Sequence, residues 1–137
     1  MAKVFGYGVD LSKLNFDEEK MEAFIKKYLP DFAEEIEMND VPVFECVDNY
    51  SNSFGYYGLS ALLVDVINEQ EKINLSAYDS IPNGCIYIPA NYPWHFNENE
   101  KQLTAKSTQE ILEKYLSKIT DDKIVCEDLS LYVESLD

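Results

Sequence analysis

The chain contains no arginine at all and a single histidine, His95. Arginine is the residue best shaped for two-pronged phosphate contacts, and nucleic-acid binders need clustered positive charge. With 26 acidic side chains, 11 lysines and a formal net charge of −15, the composition argues against direct binding to nucleic acid. One histidine without a paired histidine or cysteine argues against a transition-metal centre. The three cysteines, Cys46, Cys85 and Cys126, are far apart and odd in number. They form no Cys-x-x-Cys pair, so neither a disulfide framework nor a zinc knuckle is expected, and reduced, mostly buried thiols are. No apolar run approaches the length of a membrane span, and the first residues lack the long apolar stretch of a secretion signal. A cytoplasmic location, away from membranes, follows as the expectation.

What is present is a foldable chain. Hydrophobic residues make up 46% of 137 positions, too many for a disordered acidic tail and enough for one domain with a real core. Residues 3–10 alternate, with Phe5, Tyr7 and Val9 on one face and Gly6 and Gly8 on the other. That pattern predicts a strand whose glycine face is closely approached. Asn15 and Glu18 have capping-box spacing, and Met21, Phe24, Ile25 and Tyr28 continue with helical period from about Asp17 to Tyr28. Pro30 can open a second short helix with Phe32 and Ile36 inward. Val41 to Cys46 reads as an edge strand because of Pro42. Leu59, Leu62, Leu63, Val66 and Ile67 form the cleanest helical stripe, at about 58–70. Gly84 to Ile88 reads as a central strand, and 91–104 as a loop. A helix follows from a Ser107–Glu110 capping box to about 119, then a strand or two, bulged at Glu127–Asp128. The fold class is α+β: a single domain spanning 1–137, with one mixed or antiparallel sheet of about four strands packed against about three helices.

Charge is unevenly spread. Residues 1–27 hold five lysines and five acids, whereas residues 28–71 hold ten acids and no lysine. Those ten are Asp31, Glu34, Glu35, Glu37, Asp40, Glu45, Asp48, Asp65, Glu69 and Glu71. Asp31–Glu35 and Asp65–Glu69 are like-charge pairs at i, i+4, which cost a helix a few tenths of a kcal/mol each. Solubility is one explanation for such a run. The sharper one is a surface built for a basic protein partner, in which carboxylates occupy the positions of phosphates. Asp31, Glu34, Glu35, Glu37, Asp40, Glu45 and Asp48 are the candidate contacts. Beside them, residues 49–58 set Tyr50, Phe54, Tyr56 and Tyr57 among Ser, Asn and Gly, the composition of a binding loop. Trp94, in the 91–104 loop, is a further candidate anchor.

No chemistry emerges from the spacing. Cys46 or Cys85 with His95 matches no nucleophile motif, no calcium loop is present, and Gly6-x-Gly8 lacks the rest of a dinucleotide loop. No catalytic residue, cofactor or metal is therefore predicted.

In size, charge and composition the chain resembles small acidic inhibitors of bacteriophages and mobile elements, including anti-CRISPR proteins and anti-restriction proteins that mimic DNA. It is also similar to immunity proteins that neutralise basic nuclease toxins. The resemblance involves no diagnostic motif and carries over no residue. It implies a non-enzymatic inhibitor, monomeric or homodimeric, acting on a nucleic-acid-binding enzyme or toxin, and working in the host cell's cytoplasm if phage-encoded. An immunity protein is the first alternative, and an interaction or housekeeping domain with incidental charge the second.

Overall fold

The computed structural model describes residues 2–89 and 103–133. Four strands form one antiparallel sheet in the order β2-β3-β1-β4: β1 (Ala2–Asp10), β2 (Ser76–Tyr78), β3 (Cys85–Pro89) and β4 (Glu127–Val133). The helices are α1 (Glu18–Tyr28), α2 (Pro30–Asn39), α3 (Val43–Asp48), α4 (Gly58–Glu71) and α5 (Ala105–Leu116), and a 3-10 turn (Leu11–Lys13) follows β1. The α+β class and the number of strands are as expected, although β2 stands in place of the strand expected at 41–46; the sheet is wholly antiparallel, and there are five helices against about three.

The central strands follow from their residues. Val9 and Ile86 face the helices and are buried, with Leu62, Leu63, Leu112 and Leu116 packed in the same core. On the other face Gly8 stands opposite Tyr87 in the β1–β3 register. A Cβ on Gly8 would lie 2.1 Å from the Ile86 carbonyl oxygen and 2.6 Å from the Tyr87 Cα; one on Gly6 would lie 2.4 Å from the Tyr87 ring. The approach expected at the two glycines is therefore made by Tyr87. Tyr87, Cys85, Leu129 and Leu131 form a second buried cluster on this face.

The apolar second face explains β4. Cys126 belongs to the helix-side core, while Leu129 and Leu131 belong to the opposite cluster. The change of parity invites a bulge, but pairing runs one for one from Ala2↔Val133 to Gly8↔Glu127, so no bulge exists there.

Three local expectations are corrected. Val41 to Cys46 is not an edge strand: residues 43–48 are α3. The Pro42 carbonyl accepts from the Glu45 and Cys46 amides, and Val43 and Val47, one helical turn apart, are buried while Glu45 points outward. Six residues fit either period; Val47 decides for the helix. The cap of α1 is Asp17, not Asn15: its Oδ1 accepts from the Lys20 amide at 2.9 Å. Asn15 instead donates its own amide to Asp122 at 2.7 Å, fastening the entry of α1 to the segment after α5. Similarly, α5 is capped by Thr104, with Ser107 as the reciprocal partner in the box rather than its start. The short edge strand β2 carries no signal in three residues.

The thiols lie as the spacing implied. Cys85 and Cys126 are buried and Cys46 is partly exposed, all three unpaired. Burial pushes Cys85 and Cys126 each up to about 11. Cys46 is also raised, by burial first and then by Glu45 and Glu35. Titration with a thiol-reactive disulfide at pH 8 should therefore modify Cys46 alone and slowly in the native protein, and all three thiols in denaturant. Fast native reaction at Cys85 or Cys126 would contradict this packing.

Candidate functional site

The acidic segment folds into α2 and α3. Pro30 starts α2 with a preset φ, and Asp40 ends it in the left-handed region at φ 50. Phe32, Ala33 and Ile36 lean on the core, yet no residue of α2 is fully buried. The helix lies on α1 as an outer layer.

Three of the ten acids have local partners. Asp65, on α4, accepts from the Tyr50 hydroxyl and from Asn52 Nδ2 at 3.1 Å. Glu71 accepts from the Tyr115 hydroxyl at 2.6 Å and from Lys114 at 3.2 Å. Glu69 lies 3.5 Å from Lys72, both exposed. The other seven, Asp31, Glu34, Glu35, Glu37, Asp40, Glu45 and Asp48, are all exposed. Among the described residues, none of these seven side chains makes an ion pair or a hydrogen bond.

Their placement follows helix electrostatics at the starts of α2 and α3, where Asp31 and Glu45 lie, and runs against it at the ends. α1 obeys the helix dipole, with Glu18 and Glu19 in its first turn and Lys26 and Lys27 in its last. α2, α3 and α4 have no basic residue in their last turns. Glu37 and Asp48 instead bring negative charge to the negative ends of α2 and α3, where a lysine would contribute about 0.3–1 kcal/mol, whereas α4 has Lys72 as its C-cap beside Glu69.

The aromatic loop is a fixed turn. Ser51 bridges to Tyr57, and Asn52 Oδ1 accepts from the amides of Phe54 and Tyr56, each at 3.1 Å. Tyr50 is half-buried, with its ring edge-on to Phe32 of α2 at 5.4 Å. Burial and the Asp65 carboxylate push its phenol far above the ordinary range. Tyr50 thus holds the loop against α2 and α4, while Phe54 at 80% exposure, Tyr57 at 60% and Tyr56 at 38% stand outward. Trp94 and nearly all of the 91–104 loop lie outside the described residues.

Two depressions gather some of these groups. An open groove of about 620 Å³ between α1, α2 and the start of α3 is lined by Glu34, Glu37 and Asp40. A smaller one of about 170 Å³ takes in Asp48 and Tyr57. Asp31, Glu35 and Glu45 line neither. Sequence reading missed Glu22, which joins the groove from α1; its only signal is its position one turn before Ile25, another lining residue. Among the described residues no group of three or more His, Cys, Asp or Glu is arranged to hold a metal ion. No described helix is long and apolar enough to cross a membrane.

The architecture defines a class, an acidic α+β domain with an uncovered carboxylate layer, and goes no further. Comparison with known proteins finds no matching family model, no similar curated protein and no similar solved structure.

Two phenol–carboxylate bonds make a prediction. Tyr50 and Tyr115 are raised above their ordinary value of 10.0, by burial first and then by bonding to Asp65 and Glu71. Each neutral phenol donates to a carboxylate that would repel a phenolate. Their stabilisation is complete below pH 10 and is lost as pH rises from there toward the folded values, because the unfolded chain releases those protons first. The urea midpoint should fall steeply above about pH 10, and less steeply in Tyr50→Phe/Tyr115→Phe. Equal slopes would refute the assignment.

Proposed function

We propose that this protein is a non-enzymatic inhibitor that occupies the basic nucleic-acid groove of a nuclease or another nucleic-acid-handling effector. The observation that carries the reading is the set of seven exposed, unpartnered carboxylates on α2, α3 and the turn between them, in a stretch of 44 residues without one lysine. Duplex DNA offers about one charge per 1.7 Å of axis, so a substitute for it must be dense in charge and free of internal neutralisation. The exposed Phe54, Tyr56 and Tyr57 supply apolar contact next to that charge. Thiols raised to about 11 are the opposite of activated nucleophiles, which fits a role without covalent chemistry.

The test is inhibition of cleavage across a set of purified nucleases with basic clefts, at low and at physiological salt. The expected result is near-stoichiometric inhibition of at least one, weakened by salt and relieved by excess non-cleavable DNA. Inhibition of none, or inhibition that DNA leaves untouched, overturns the reading. Protection against a single toxin nuclease without competition by DNA would mark an immunity protein instead.

A further inference from the structure

The groove between α1 and α2 joins two properties that the charge alone does not explain. Its floor is apolar, built from Ile25, Ala33, Ile36, Val41 and Val43. Ala33, Ile36 and Val41 are only partly covered. Its rim carries four carboxylates, Glu22, Glu34, Glu37 and Asp40, against one ammonium, Lys26. Glu34 and Glu37, three residues apart, share one side of α2, and Asp40 joins them from its C-cap.

A trough of this volume with an apolar floor and a charged rim is within the range that takes a ligand, and a ten-residue helix beside it makes it about 15 Å long. That is room for two apolar side chains one helical turn apart, the pattern of an amphipathic helix laid in a groove. The rim selects the flanking charge, since each carboxylate brought near apolar surface needs a cation to offset its desolvation. A second copy of this chain would bring the same negative charge and be repelled.

We infer that this groove binds an amphipathic, lysine- or arginine-flanked helical segment of the partner, anchored by apolar residues on the α1–α2 floor. The inference rests on the reading of the α2–α3 acids as a surface for a basic partner. It adds that the contact has a shaped apolar anchor as well as charge.

The experiment uses two fluorescent peptides of about 14 residues at about 0.15 M salt. One places leucine at helical spacing among lysines; the other carries the same lysines with serine for leucine. Anisotropy should show the leucine peptide binding about tenfold tighter or better. Ala33→Trp, which fills the trough, should bring the ratio close to one. Val41→Gln, on the connection between helices, removes apolar floor without altering α2 and should lower the ratio severalfold. Circular dichroism establishes that both variants are folded. A ratio near one in the unaltered protein, or one unchanged by both variants, overturns the groove as a helix site. Equal, salt-sensitive binding of both peptides does so while leaving the acidic surface standing. Failure of both peptides to bind also overturns the groove, and the acidic surface is then judged by the nuclease competition alone. Tight self-association that excludes the leucine peptide would make the occupant a second copy.

Discussion

Gly8→Ala should destabilise the protein by about 3 kcal/mol or more and lower its melting temperature by about 10 °C or more. The added methyl would meet the Ile86 carbonyl oxygen at 2.1 Å and the Tyr87 Cα at 2.6 Å. Both are backbone atoms of the paired central strand, so no side-chain rotation relieves the clash. β1 must move away from β3, and Val9 and Ile86 in the core move with it. Gly8 has no positive φ, so the loss would come from crowding alone. Gly55→Ala is the control. Gly55 has φ +86 and nothing within 4 Å, and its substitution should cost only about 1 kcal/mol of backbone strain. Thermal or urea unfolding checks both. Equal small losses would mean that the β1–β3 approach is not as close as the Gly8–Tyr87 geometry requires.

Converting Glu34, Glu35 and Glu37 together to lysine should weaken inhibition of the target effector about a hundredfold, with folded stability kept or slightly raised. Each close charge pair lost at an interface is worth at least about 1 kcal/mol, and three together approach two to three orders of magnitude. Stability should move the other way. Asp31 and the residue at 35 become an opposite pair with the acid on the N-terminal side, the better orientation. A lysine at 37 meets the negative end of α2. Binding measured against salt, alongside urea unfolding, separates the two effects. Affinity within about threefold of the original protein would remove these side chains from the contact.

This opposed pair of outcomes gives the charge pattern its physical content. α1, in the neutral part of the chain, places acids first and lysines last, as its own stability favours. α2 and α3 also begin on acids, Asp31 and Glu45, but end on Glu37 and Asp48, where a lysine would stabilise the last turn. Selection for solubility needs net charge but not charge at these positions.

The central elements were legible because they obey one period without ambiguity. The Leu59–Ile67 stripe gave α4 within a residue, and the alternation with Gly6 and Gly8 foretold a close approach. α3 was misread because six residues around Pro42 fit strand and helix alike. β2 is too short for any pattern. The caps of α1 and α5 were displaced because Asn15 and Ser107 have other partners: Asp122 lies far along the chain, and Thr104 three residues back. Of the site, the acids were visible in sequence, but not which of them are internally used. Asp65 and Glu71 are engaged by Tyr50 and Tyr115, the latter 44 residues away. The groove was invisible because it requires α1 and α2 to be placed side by side, with Glu22 on one bank and Glu34 on the other.

The pairing of β1 with β4 also sets the order in which the chain can be completed during synthesis. The inner edge of β1 can be satisfied once residues up to Pro89 have left the ribosome, because β3 is then available. Its other edge, Ala2 to Gly8, waits for Glu127–Val133. Until then a strand destined for the middle of the sheet behaves as an open edge, able to recruit any extended chain nearby. A nascent chain halted after α5 should be the form most prone to aggregate and most dependent on chaperones, and release of the last strand should end that dependence.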